Sequence, residues 1–171
     1  MIVNAPLHAL PPGMPEPSSG SVMGAAHYFP LRVYYDDTDL SGVVYHANYV
    51  RWFERARSDL LRILGVDQQA AVEAGEGAYA VADIFVRFVS PAKLDDAVII
   101  QTRVEELGAA SARMCQLAFR NDNLLAEARV RVGFISPEGR PRRQPAPWRA
   151  AFNTFVAGEF LHQTKADQSE A

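Results

Sequence analysis

The sequence predicts an α+β fold in which a curved antiparallel sheet wraps around one long central helix. Three observations lead there. One long amphipathic helix stands out, with Tyr49, Phe53, Ala56, Leu60 and Leu64 at steps of three or four and Trp52 and Ile63 widening the stripe. Strand-like stretches follow it with no second long helix between them. Short turn signals separate those strands, and a run of strands after one helix argues for an antiparallel sheet with the helix on one face.

Taken in order, Phe29, Leu31, Val33 and Tyr35 alternate with Pro30, Arg32 and Tyr34, a first strand with one apolar face. The helix spans roughly Ala47 to Leu64, with Gly65 as its stop signal and Arg51, Arg55, Asp59 and Arg62 off the apolar stripe. Ala78 to Val89 is apolar on both faces except for Asp83 and Arg87, the pattern of an interior strand. Asp95 to Glu106 sets Val98, Ile100 and Val104 opposite Gln101, Arg103 and Glu105. Gly108 turns the chain into Ala110 to Arg120, and Asn121-Asp122-Asn123 makes a hairpin turn into the fifth strand. There Leu124, Ala126, Ala128, Val130, Val132 and Phe134 point inward. Trp148, Phe152, Phe155 and Val156 mark a short C-terminal helix. A sheet covered on one side leaves edges open, so self-association into a homodimer or homotetramer is expected.

The 171 residues suffice for one domain with a substantial core. A net charge of -3 gives no reason to expect a nucleic acid partner. Cys115 is the only cysteine, which excludes an internal disulfide and fits a reducing, cytoplasmic setting. No apolar run approaches the ~18–20 residues that span a bilayer. Residues 1–26 are rich in Pro, Gly, Ser and Ala without the basic start and apolar stretch of a secretory signal. They read as a flexible tail, residues 27–162 as the domain, and 163–171 as a polar tail.

The chemistry concentrates where an acidic turn, Asp36-Asp37-Thr38-Asp39, feeds through Gly42 and His46 into the helix N-terminus. Asp37, Asp39, Ser41 and Gly42 imitate the opening of a calcium-binding loop, but its twelfth position is Asn48 where a bidentate Glu is required. Helix N-termini present unpaired N–H groups and a positive dipole end, suited to an oxygen gaining negative charge. Asn48 is a candidate N-cap.

Asp37-Thr38-Asp39, Gly42-Val43-Val44-Tyr45-His46-Ala47-Asn48-Tyr49 and Phe53-Glu54-Arg55-Ala56-Arg57 follow one another in a long ordered pattern. That pattern resembles the hotdog-fold acyl-CoA thioesterases of the 4-hydroxybenzoyl-CoA thioesterase type, most nearly the Tol–Pal-associated branch. The resemblance implies a hotdog fold over about residues 28–134 and hydrolysis of acyl-CoA without a metal or other cofactor. It implies that Asp39 is the catalytic carboxylate, as nucleophile or general base, and that the oxygen-polarising N–H lies at or next to His46. The His46 imidazole is a second catalytic candidate. Gly42, Val43 and Tyr45 are implied in substrate binding, and Tyr45 and Trp52 either line an acyl pocket or belong to the core. Glu54 is the alternative carboxylate, with a local ion pair to Arg51 or Arg57 as its plainer role.

A CoA substrate carries phosphates, and Arg140, Arg142 and Arg143 form the densest basic cluster, ahead of Arg87 and Lys93. Two other functions compete with hydrolysis. A hotdog hydratase would show a His motif ending in Pro-Gly or Asn-Pro, which is absent. A non-catalytic acyl-carrier or partner-binding protein associated with the cell envelope would not need Asp39 and His46 together; acyl carrier protein or an envelope-system protein is the alternative partner.

Overall fold

A computed structural model describes residues 17–160. The chain order is β1 (Ser21–Met23), β2 (Ala26–Arg32), a 3-10 turn (Tyr35–Asp37), α1 (His46–Ile63), α2 (Gln68–Glu73), β3 (Ala78–Phe88), β4 (Ala97–Leu107), β5 (Ser111–Arg120), β6 (Asn123–Ile135) and α3 (Ala146–Val156). Six strands form one antiparallel sheet in the order β1-β2-β4-β5-β6-β3. The helical stripe meets the sheet as its spacing predicts: Tyr49, Trp52, Phe53, Ala56 and Leu60 are all buried, together with Val98, Ile100, Ala118, Ala126 and Ala128 from the strands. This is the α+β arrangement of a sheet around one long helix. Trp52, 1% exposed, belongs to that core and not to a pocket wall.

Three expectations need correction. The first strand stops at Arg32, because the 3-10 turn begins at Tyr35 and leaves Tyr34 and Tyr35 exposed. The stretch Ala78 to Val89 is not interior: β3 forms the sheet edge, with Val81, Phe85, Phe88 and Val89 about half exposed or more. Tyr79, Ile84 and Val86 pack against the core, while Val81, Phe85 and Phe88 form an apolar surface that the described residues do not cover.

The tail boundary at residue 26 also moves. Ser21–Met23 pairs with Ala26–Tyr28. The Asp59 carboxylate, 3% exposed, accepts from Ser19 Oγ at 2.7 Å, Gly20 N–H at 2.8 Å and His27 Nε2 at 2.8 Å. Asp59 is therefore buried beneath this strap although it lies off the apolar stripe. The expected tails over residues 1–16 and 163–171 lie outside the described residues.

The two sheet edges differ. β1 covers the first part of β2, and beyond its reach β2 carries Pro30, which has no N–H to offer a further strand. β3 carries no such protection over eleven residues.

Candidate active site

The acidic turn is built by its own backbone. Asp37 Oδ2 accepts the Tyr34 N–H at 2.9 Å, and Thr38 Oγ1 donates to the Tyr35 carbonyl at 2.9 Å, so these two side chains form the turn itself. Thr38 then bridges Val44, Asp39 N–H donates to the Val43 carbonyl at 3.0 Å, and Gly42 N–H donates to the Asp39 carbonyl at 3.0 Å. Gly42 has φ +76 with open space where a Cβ would stand, so its requirement is conformational and not steric.

Tyr45, not Asn48, is the N-cap of α1, and no side chain caps the helix there. Asn48 Nδ2 instead donates to the Asp37 carbonyl at 2.8 Å, and that carbonyl also accepts the Tyr45 N–H at 2.9 Å. Two bonds thus tie the carboxylate turn to the first turn of the helix. The N–H groups of His46 and Ala47 lie in the first turn, before any intrahelical acceptor, and no side chain caps the helix there.

Beside them lies an open cleft lined by Val43, Val44, His46, Tyr49, Phe88, Val89, Ser90 and Pro91. The Phe88 ring stands edge-on to His46 (6.1 Å between centroids) and Tyr49 (5.6 Å), while Tyr45 lies against His46 at 4.4 Å. The loop after β3 is fastened to this wall: Val44 N–H donates to the Ala92 carbonyl at 2.9 Å, and Ala92 N–H to the Tyr49 hydroxyl at 3.2 Å. Sequence reasoning missed Phe88, the Tyr49 hydroxyl and the Ala92 loop. Each is distant in sequence from the acidic turn, or reads simply as core.

Asp39 is exposed, and Ser41 holds one of its oxygens: Oδ1 accepts the Ser41 N–H at 2.8 Å and the Ser41 hydroxyl. The hydroxyl first, then the N–H, keep the carboxyl below the usual carboxylate range; slight desolvation opposes them, and His46 adds a smaller pull downward. Asp39 is therefore ionised at neutral pH, next to an uncapped helix N-terminus.

The remaining candidates fall elsewhere. Glu54 is exposed two turns along α1, ~12 Å from His46 by helical rise. Its carboxylate pairs with the Arg57 guanidinium and accepts from Ser58 Oγ at 3.2 Å. Arg57 itself is buried and donates to Gln116 Oε1 at 2.6 Å, and this hydrogen bond ties α1 to β5 while the ion pair stays within the helix. Arg140, Arg142 and Arg143 lie just beyond β6, near the Ala78 end of β3, where Ala78 pairs with Ile135. The cleft's Phe88 closes the opposite end of that strand, ~33 Å away at strand rise. Within one chain the arginines do not reach the site. Arg142 Nη1 donates to the carbonyls of Glu76 (2.6 Å) and Gly75 (3.2 Å), fastening the loop before β3. Arg87 pairs with Glu127 at 2.7 Å, and Lys93 is exposed on the loop after β3.

Comparison with known proteins agrees with this architecture. The pattern of the thioesterase-like superfamily matches residues 33–156. The chain is 40% identical over 126 residues to the acyl-CoA thioesterase YbgC of Haemophilus influenzae, covering 73% of this chain and 93% of that one. It is 41% identical over 126 residues to the acyl-CoA thioester hydrolase YbgC of Escherichia coli O157:H7, covering 72% and 93%. Among solved structures, a probable thioesterase from Bartonella henselae superposes with a TM-score of 0.67 at 39% identity, over 70% of this chain and 99% of that one. A 4-hydroxybenzoyl-CoA thioesterase superposes with a TM-score of 0.68 over 74% and 98%, and at 23% identity it speaks for the fold alone.

Proposed function

Because the chain belongs to the thioesterase-like superfamily and has the hotdog fold, we propose that it hydrolyses acyl-CoA thioesters to the free acid and CoA, with Asp39 as the reacting carboxylate. The observation that carries this is the pairing of an ionised, oriented Asp39 with a helix N-terminus that has no cap and opens on an apolar cleft. The YbgC relatives supply the substrate class.

The thioester carbonyl oxygen docks on the N–H groups at His46 and Ala47, where negative charge is stabilised as the carbon becomes tetrahedral. One such preorganised donor is worth ~2.7–4 kcal/mol in acyl transfer. Asp39 acts in one of two ways. As general base it takes a proton from water while the water oxygen bonds to the carbonyl carbon; the C–S bond then breaks, and the CoA thiolate collects a proton. As nucleophile it forms a mixed anhydride, expelling the thiolate, and water cleaves the anhydride to restore the carboxylate. The His46 ring, held between Tyr45 and Phe88, stands where it could orient the thioester or protonate the leaving sulfur. Val43 lines the cleft, and Gly42 and Tyr45 are its neighbours in the chain.

Two copies pair along their unprotected β3 edges in this reading. Antiparallel pairing about a two-fold axis lays the Ala78 end of one β3 beside the Phe88 end of the other. Arg140 and Arg143 of one copy then flank the cleft of its partner, where they can meet CoA phosphates. A homotetramer would join two such dimers through surfaces other than the β3 edge. A cytoplasmic location suits the substrate and the free thiol of Cys115.

Free-thiol release from a panel of aliphatic and aromatic acyl-CoAs, with an acyl carrier protein thioester alongside, tests the proposal. It predicts turnover of at least one acyl-CoA. Binding without thiol release across the panel would instead favour a non-catalytic carrier or envelope-partner role.

A further inference from the structure

Asp39 presents its two carboxylate oxygens unequally. Oδ1 accepts both the backbone N–H and the hydroxyl of Ser41, while neither of these bonds falls on Oδ2. The backbone of Asp39 is already fixed, its N–H bonded to the Val43 carbonyl and its carbonyl to the Gly42 N–H. What remains free is the side-chain torsion. The turn around it lends no packing, since Leu40 is fully exposed and Asp39, Ser41 and Gly42 are exposed as well. An exposed carboxylate without a local partner samples several rotamers.

We propose that Ser41 is a positioning residue for Asp39: its hydroxyl and N–H lock the carboxylate so that Oδ2 is the oxygen that meets water or the thioester carbon. The proposal rests on the reading of Asp39 as the reacting group and extends it to a residue otherwise notable only as part of a calcium-loop imitation. The arrangement has two opposed effects. Locking the torsion holds the attacking oxygen near its working position, which favours turnover. Donating to the ionised form lowers its basicity, which weakens the base but keeps it charged at lower pH. His46, at the start of α1, acts on the carboxylate in the same direction. Asp36 and Asp37 in the preceding turn, Arg51 near the start of α1, and Lys93, Asp95 and Asp96 in the loop after β3 are the other charges on the flanking segments.

The sign of the pH effect follows from the lowered pKa of Asp39. Activity needs the ionised form, so it is present at high pH and is lost as pH falls through the folded-state value. Removing the Ser41 hydroxyl raises that value, so activity fails at a higher pH. On the plateau above both values the carboxylate is ionised in either protein; the stronger base left by the substitution favours turnover there, so a loss on the plateau reports lost orientation.

The test compares full-length wild type, Ser41→Ala, Ser41→Thr and Asp39→Asn, with kcat and kcat/KM measured against pH on the best acyl-CoA of the panel. For Ser41→Ala the expected result is an acid limb of kcat/KM moved to higher pH, a plateau kcat about tenfold lower, and little change in KM. Ser41→Thr, which keeps the hydroxyl, brings both features back toward wild type. An acid limb for Ser41→Ala that superimposes on wild type overturns the proposal, as does a threonine variant no better than alanine. If Asp39→Asn keeps its rate, the reading of Asp39 itself falls. If Asp39→Asn is inactive while Ser41→Ala behaves as wild type, only the role of Ser41 falls.

Discussion

Replacing Asp59 by Ala should unfold the strap that residues 19–23 lay across α1. Asp59 accepts three hydrogen bonds, from Ser19, Gly20 and His27, and both it and His27 are buried. The bond from exposed Ser19 is replaced by water and counts for little. The bonds from Gly20 N–H and His27 go to a buried carboxylate, and charge-assisted bonds of this kind contribute ~1.5–3 kcal/mol each. Allowing for partial resolvation at half-buried Gly20, the variant should lose about 3–4 kcal/mol. For a chain of this size each kcal/mol moves Tm by ~2–4 °C, so thermal melts followed by circular dichroism should show a drop of about 6–16 °C.

A steric route reaches the same contact. A Cβ on Gly20 would lie 2.9 Å from Asp59 Oδ2 and crowd the Tyr28 carbonyl and the His27 ring as well. Gly20→Ala should therefore peel β1 from β2. Because both substitutions release one strap, the double variant should lose clearly less than the sum of the two. An Asp59→Ala melt within about 2 °C of wild type, or fully additive losses, would refute the reasoning.

Val81→Lys on β3 should yield monomers in analytical ultracentrifugation and strongly reduced thiol release, because it sets a charge on the apolar edge proposed to pair; an unchanged sedimentation coefficient would move the interface elsewhere. Arg143→Ala should raise KM for acyl-CoA with kcat nearly unchanged, an effect that fades at high salt and is absent with a thioester lacking the nucleotide. Arg142→Ala should differ from it by lowering Tm, since it releases the Gly75 and Glu76 carbonyls; equal melting of the two variants would contradict that role.

The helix and the strand alternation were legible because burial on one face imposes a period on the sequence. Tyr49, Phe53, Ala56 and Leu60 had to share a face to share a core. Asp59 was not legible, because a charge off that face normally means solvent. Here it means a second layer made by Ser19 and Gly20 ahead of the three-residue β1, too short to carry a period and set in a stretch with the composition of a linker. For β3, two apolar faces show that something covers the strand, but no pattern in one chain says whether the cover comes from that chain or from another copy. The site was half legible. The ordered run from Asp37 to Asn48 located the acidic turn and the helix start, while Asn48 took a different partner from the one its N-cap preference suggests. Phe88 and Ala92 complete the cleft through the fold, and nothing in their local sequence announces it.

The most direct measurement of the central claim is the kcat of purified Asp39→Asn on its best acyl-CoA, beside a melt and a sedimentation run. The amide fills the space of the carboxylate but can neither attack carbon nor take a proton from water. Loss of a positioned general base alone costs about 10²- to 10⁴-fold. Asp39→Asn should lose kcat at least in that range with Tm and oligomeric state unchanged. A folded Asp39→Asn protein turning over at near the wild-type rate would contradict it and return Glu54 as the carboxylate to examine.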